Sequence, residues 1–148
     1  PRRPIEVPFD GEVIVDSSTL LALNKVPKTM IVLGGGIIGS EYASFFSALG
    51  TQVTIVDKRD HILPLLDSEI GMHLQTALSE IGLKVLGNKE PEKVWREENK
   101  AVVQFKDGTT AEGEVLLYAL GRQANVDALQ LQNAGLTLDS KGYVPVNA

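Results

Sequence analysis

Cysteine is absent from this chain, which removes disulfide staples, thiolate metal sites and thiol nucleophiles together. Its absence accords with a cytoplasmic protein. Histidine is scarce: His61 and His73 stand apart, with no further ligand-type residues at a metal-site spacing. Both read as surface residues, and no metal site is expected. Positive charge is in deficit, 14 Lys and Arg against 19 Asp and Glu, and the net charge of −5 argues against a nucleic-acid partner. No apolar run approaches the ~20 residues of a bilayer span, so no membrane partner is expected, and Pro1-Arg2-Arg3-Pro4 lacks the apolar core of a signal peptide. Ser40 follows Gly39, but no Gly-x-Ser-x-Gly surrounds it. No catalytic side chain is nominated.

What is present suits one domain with one sizeable core: 148 residues, 43% apolar and 22% charged. The start without Met, and a stop just after Tyr143 to Val146, which reads as a short strand, read as the edges of a piece of a longer protein. Residues 1 to 16 carry three prolines and read as an extended lead-in. Asp16-Ser17-Ser18 before Leu20, Leu21 and Leu23 predicts a short helix that Pro27 ends. Met30 to Leu33 is an apolar run closed by glycines, the pattern of a strand buried on both faces. Ile38, Tyr42, Phe45, Phe46 and Leu49 then fall at helical spacing up to Gly50. Gln52 to Val56 alternates as a strand ending at Asp57, which completes a β-α-β unit. Asp67-Ser68-Glu69 opens a second helix reaching Gly82, and Leu83 to Leu86 is a third strand. Glu92 to Glu112 changes to short alternating segments with an Asp107-Gly108 turn, an antiparallel meander. Trp95 in it reads as a partly exposed strand residue. Glu114 to Ala119 is a last buried strand, and Asn125 to Gly135 a short helix and loop. The fold class expected is α/β: a Rossmann-type parallel sheet flanked by helices, with an inserted antiparallel three-stranded meander.

Gly34-Gly35-Gly36-Ile37-Ile38-Gly39 fits G-x-G-x-x-G, leaves a buried strand and opens an amphipathic helix. That context makes it a dinucleotide turn. Gly34 permits the tight bend, Gly36 lets a diphosphate approach the backbone, and Gly39 lets the helix pack close to the sheet. Free amides and the helix dipole favour the diphosphate charge. An ordinary glycine-rich turn, or one holding another adenosine ligand such as S-adenosylmethionine or FAD, is the competing reading. Asp57 stands 18 residues beyond Gly39, where a carboxylate can accept ribose hydroxyls and point to NAD(H). Lys58 and Arg59 follow, and cations there can pair with the 2′-phosphate of NADP(H), or form a solvated loop pair. Glu41, one turn into the helix, reads first as a carboxylate complementing the helix N-terminus. Leu63 to Leu66, with Pro64, reads as packing.

These features together resemble the flavin-dependent pyridine nucleotide–disulfide oxidoreductases. The resemblance rests on Asp16-Ser17 and the leucines running to Pro27, on Gly34 to Gly39 extended by Ser40-Glu41, and on Leu116 to Asn125 after a meander. It implies that residues 1–28 are a linker, with a short helix, from a missing FAD domain, and that residues 29–148 bind NAD(H) or NADP(H). It moves Glu41 to the nicotinamide, and sets Ala119, Leu120 and Gly121 on the cofactor cleft, with Pro91 as a further contact. Glu41-Tyr42-Ala43-Ser44, Leu117-Tyr118-Ala119, Gly121-Arg122 with Asn125, Leu131-Gln132-Asn133 and Asp139 to Gly142 are most similar to the branch that moves hydride between NADH and NADP+ through FAD. That branch needs no redox-active cysteine pair. The dihydrolipoamide dehydrogenase branch is the alternative, though it often has Pro where Ala124 stands. The implied partners are nicotinamide dinucleotides, the FAD and dimerisation domains of the same chain, and a second copy in a homo-oligomer. A non-catalytic NAD(H)-sensing module is the reading of a different class.

Overall fold

The computed structural model describes residues 1–146. In chain order its elements are β1 (Ile14–Asp16), β2 (Thr29–Leu33), α1 (Ile37–Ala48), β3 (Gln52–Val56), α2 (Ser68–Glu80), β4 (Lys84–Leu86), β5 (Pro91–Glu97), β6 (Lys100–Phe105), β7 (Thr110–Gly113) and β8 (Val115–Tyr118). One-turn 3-10 helices cover Leu20–Ala22 and Leu131–Ala134.

Parallel neighbours cannot be joined by a hairpin, so α1 carries the chain from β2 to β3 and α2 carries it from β3 to β4. The strand order is β1-β8-β2-β3-β4, a five-stranded parallel sheet, while β5, β6 and β7 pair antiparallel in a separate sheet. Strand alternation then sorts the core into two layers. Met30 and Val32 of β2 join Val53, Ile55, Val115 and Leu117 against the helical residues Ala43, Phe46 and Leu78. Ile31 and Leu33 point to the other face and join Ile14, Val56 and Leu116 against Val94, Ala101, Val103 and Phe105 of the antiparallel sheet. Helices therefore cover one face and the meander covers the other. Each such aliphatic side chain stabilises the fold by roughly 1.5–3 kcal/mol of apolar burial. Asp67 begins α2 as expected, its carboxylate accepting the Glu69 amide at 2.9 Å.

Three segments differ from the sequence expectation. Residues 1 to 16 are not merely extended: Ile14, Val15 and Asp16 pair with Leu116, Leu117 and Tyr118 as an edge strand. Asn125 to Gly135 holds only the single 3-10 turn at Leu131–Ala134, since its leucines find no core face and Leu129 stays 61% exposed. Tyr143 to Val146 forms no strand among the described residues; Tyr143 instead donates its hydroxyl to the Arg122 carbonyl at 3.1 Å. No helix among the described residues is long and apolar enough to cross a membrane.

The two-layer core sets an expectation for the meander. Phe105 is 2% exposed beneath the parallel sheet, so Phe105→Ala should lower the unfolding free energy by about 3–5 kcal/mol in urea titrations. A loss under about 1 kcal/mol would mean that the meander is not part of the cooperative core.

Candidate nucleotide cleft

In the sheet order, β8 lies on one side of β2 and β3 on the other, so the loops leaving β2 and β8 diverge and open a crevice at the carboxyl ends of the strands. The glycine turn forms one wall of it. Gly34 has φ +106°, and a β-carbon there would lie 2.9 Å from the Ala119 carbonyl oxygen. Ladder bonds hold the bend: the Gly34 amide donates to Val56 O at 2.8 Å, and the Ala119 amide to Leu33 O at 2.8 Å. A β-carbon on Gly39 would sit 1.9 Å from the Gly34 carbonyl oxygen, so α1 can rest on the turn only with glycine at that position. Gly36 is the opposite case. It caps α1 in extended conformation, and a β-carbon there would meet nothing within 4 Å. The first amides of a helix have no intrahelical acceptor, and those of Gly36, Ile37 and Ile38 find none elsewhere among the described residues.

These amides border a cleft of about 600 Å³, closed on the far side by Ala119, Leu120 and Gly121 and at one end by Asp57 and Arg59. The Gly35 amide donates to Asp57 Oδ2 at 2.7 Å, while the Gly35 carbonyl accepts from Leu63 N at 2.6 Å. Asp57 is 2% exposed. Its Oδ1 accepts the Arg59 amide and Nε, each at 3.0 Å. Burial pushes the Asp57 carboxyl up, but the Arg59 side chain, the Arg59 amide and the Gly35 amide together hold it below its ordinary value.

The structure thus brings Gly34, Gly36, Ile37, Ile38, Asp57, Arg59, Ala119, Leu120 and Gly121 to one cleft. Gly35 and Gly39 are buried beneath it as supports of the turn. Glu41 is exposed on α1 and faces a neighbouring hollow of about 540 Å³, which shares Ile38 and Arg122 with the first. Lys58 is exposed but lies off the cleft wall, and Pro91 pairs with Phe105 at the start of the meander, away from it. Two lining residues went unnominated in the sequence. Arg122 follows Gly121 directly in the Gly-Arg pair, which was the available signal. Leu65 belongs to an apolar run that reads as packing, yet it is exposed at the cleft edge.

Because the folded chain favours ionised Asp57, its stabilising contribution is complete above the unfolded value of about 3.9 and is lost as pH falls through the lower folded value. The difference in unfolding free energy between wild type and Asp57→Asn should therefore be flat above about pH 5 and shrink below about pH 4. A difference independent of pH across that range would show that the ionised carboxylate contributes nothing.

Comparison with known proteins assigns the family. Residues 2–148 match the pyridine nucleotide-disulphide oxidoreductase family. The chain is 40% identical over 147 residues, 99% of its length, to the soluble pyridine nucleotide transhydrogenase of Pseudomonas syringae pv. syringae, and 39% identical to that of Pseudomonas fluorescens. It spans about a third of the length of these curated relatives, 32% of each. Among solved structures, LpdA from Mycobacterium tuberculosis superposes with a TM-score of 0.90 at 31% identity, over 99% of this chain and 32% of that one. The HOCl-induced flavoprotein disulfide reductase RclA from Escherichia coli gives 0.88 at 31% identity, over 99% and 34%. With residues 2–148 covered by the family match, the chain belongs to the pyridine nucleotide-disulphide oxidoreductase family.

Proposed function

We propose that this chain is the nicotinamide-nucleotide domain of an FAD-dependent oxidoreductase that moves hydride between NADH and NADP+, as the name soluble pyridine nucleotide transhydrogenase describes for its relatives. On this reading residues 1–28 lead in from the FAD domain and residues 29–148 hold NAD(H) or NADP(H). The observation that carries it is the conjunction at the carboxyl ends of β2 and β8: unspent amides at Gly36, Ile37 and Ile38 beside open space over Gly36. A diphosphate supplies the negative charge and acceptor oxygens such a corner lacks.

The residues divide by role. The turn and the first amides of α1 bind the diphosphate, and Ala119 to Gly121 close the opposite wall. Glu41, one helical turn further along, borders the hollow in which the nicotinamide half would lie. FAD, when bound to the rest of the protein, supplies the two-electron acceptor chemistry; this chain supplies orientation and exclusion of water. The same reading gives the full protein a dimerisation domain and a homo-oligomeric state. The 40% identity to transhydrogenases, across 99% of the chain, favours that branch over the dihydrolipoamide dehydrogenases.

Gly36→Ser separates binding from folding. Serine caps helices at least as well as glycine and fits the empty space, so the unfolding temperature should hold. Its β-carbon and hydroxyl would occupy the diphosphate position and satisfy one of the waiting amides, so calorimetric titration with NADH should show affinity lower by about tenfold or more. Unchanged affinity in a folded variant would remove the diphosphate from this turn.

A further inference from the structure

The far wall of the cleft, Ala119 to Gly121, lies beyond the last ladder pair of β8 with β2. β2 still holds its first residue, through the Ala119 amide on Leu33 O at 2.8 Å. Gly121 then bends with φ +95°, a conformation that other residues rarely adopt. The wall touches the turn it faces: a β-carbon on Gly34 would lie 2.9 Å from Ala119 O and 3.1 Å from Leu120 Cδ2. Packing this close passes a small displacement of the wall on to the turn. The lead-in segment grips the same residues. The Arg2 amide donates to Gly121 O at 3.3 Å. The Phe9 ring meets the Tyr118 ring edge to face, centroids 5.6 Å apart, one residue before the wall. Phe9 and Leu120 pack on one apolar cluster, in which Val7 is buried. Residues 1–13 form neither helix nor strand, so side-chain contacts must anchor them. Arg3 is the anchor. Its Nε pairs with Asp16 Oδ2, and its guanidinium lies 5.6 Å from the centre of the Phe9 ring. Asp16 is fully buried, accepts the Ser18 and Thr19 amides at 2.7 and 3.0 Å, and stands opposite Tyr118 in the sheet.

Resting on the reading of this cleft as a nucleotide site, we propose that Arg3 is a positioning residue for it. Fixed on Asp16 and set over Phe9, Arg3 holds the lead-in as a strap, and the strap keeps Ala119 to Gly121 against the glycine turn. Arg3, Phe9 and Asp16 do not line the cleft; they act on it through Tyr118 and Gly121. The coupling is reciprocal: whatever loosens the strap weakens nucleotide binding, and a bound nucleotide tightens the strap by the same factor. The lead-in is thereby a point from which an event outside the cleft regulates it.

The test pairs calorimetric titration of this chain with ADP-ribose, a redox-inert probe, with hydrogen exchange of the Gly121 amide, which donates to Ala119 O at 3.1 Å. Arg3→Leu, a change at a half-exposed side chain, should weaken ADP-ribose binding about threefold or more and speed Gly121 exchange by a similar factor. The Ala119 amide, held by β2, should exchange as in wild type. Arg3→Lys keeps a cation beside Asp16 and should recover part of both effects. Phe9→Leu alters no charge and should act in the same direction, which separates the strap from a change in net charge; it also decides should Arg3→Leu fail to fold. A variant that melts earlier yet binds ADP-ribose as wild type does would make Arg3 a stabilising residue only and overturn the proposal. Weaker binding with Gly121 exchange unchanged would overturn it too, because the wall would not carry the effect. Failure of wild type to bind ADP-ribose would overturn the nucleotide reading, and Gly121 exchange in Arg3→Leu, measured without nucleotide, would decide the strap separately.

Discussion

The hydrogen bond from the Gly35 amide to the buried Asp57 carboxylate joins the turn after β2 to the end of β3, 22 residues along the chain. A carboxylate taken out of water is costly unless donors surround it, and a hydrogen bond to a charged group is worth about 1.5–3 kcal/mol. The bond therefore fixes the Gly35 peptide firmly. With that amide spent on Asp57, the next three lie at the start of α1, in residues that line the cleft, with no acceptor among the described residues. The geometry of the anion corner thus rests on a contact within the protein beside it.

That contact depends in turn on the layers around it. β2 and β3 are in register from Thr29–Gln52 to Leu33–Val56, which brings the turn and Asp57 to the same level of the sheet. Helices seal one face of the sheet and the meander seals the other. The loop leading from β4 into the meander also reaches the site, through the Lys89 amide on the Asp57 carbonyl at 3.0 Å. A second buried carboxylate, Asp16, does similar work at the end of β1. It accepts the Ser18 and Thr19 amides and pairs with Arg3, so the lead-in segment is tied to the sheet edge.

How much of this was legible in the sequence follows from where the constraint acts. Steric requirements of the turn are local, and glycine is their visible trace at Gly34 and Gly39. The existence of α1 and α2 and the Asp107-Gly108 turn are periodic or compositional signals, and they read correctly, although Phe45, Leu49, Ile70 and Ile81 of the expected apolar faces stand exposed. β1 did not, because three prolines mask it and its partner β8 lies a hundred residues away. The strand expected at Tyr143 to Val146 and the helix expected from Asn125 had suitable residues but no surface to pack on. Asp57 was found by its spacing, yet its orientation was not legible. Which donors fill a buried carboxylate is decided by a tertiary neighbour, here Gly35, and by an arginine two residues on. The same limit explains why Arg59 lines the cleft while the adjacent Lys58 does not.

Residue-resolved amide hydrogen exchange by NMR, with and without ADP-ribose, tests the division of labour at the turn most directly. The Gly35 amide should be protected in both states, because Asp57 holds it throughout. Those of Gly36, Ile37 and Ile38 should exchange rapidly in the free chain and become protected when the nucleotide is added. A Gly35 amide that exchanges freely without nucleotide, or nucleotide protection that bypasses Gly36 to Ile38, would contradict the structure of the site described above.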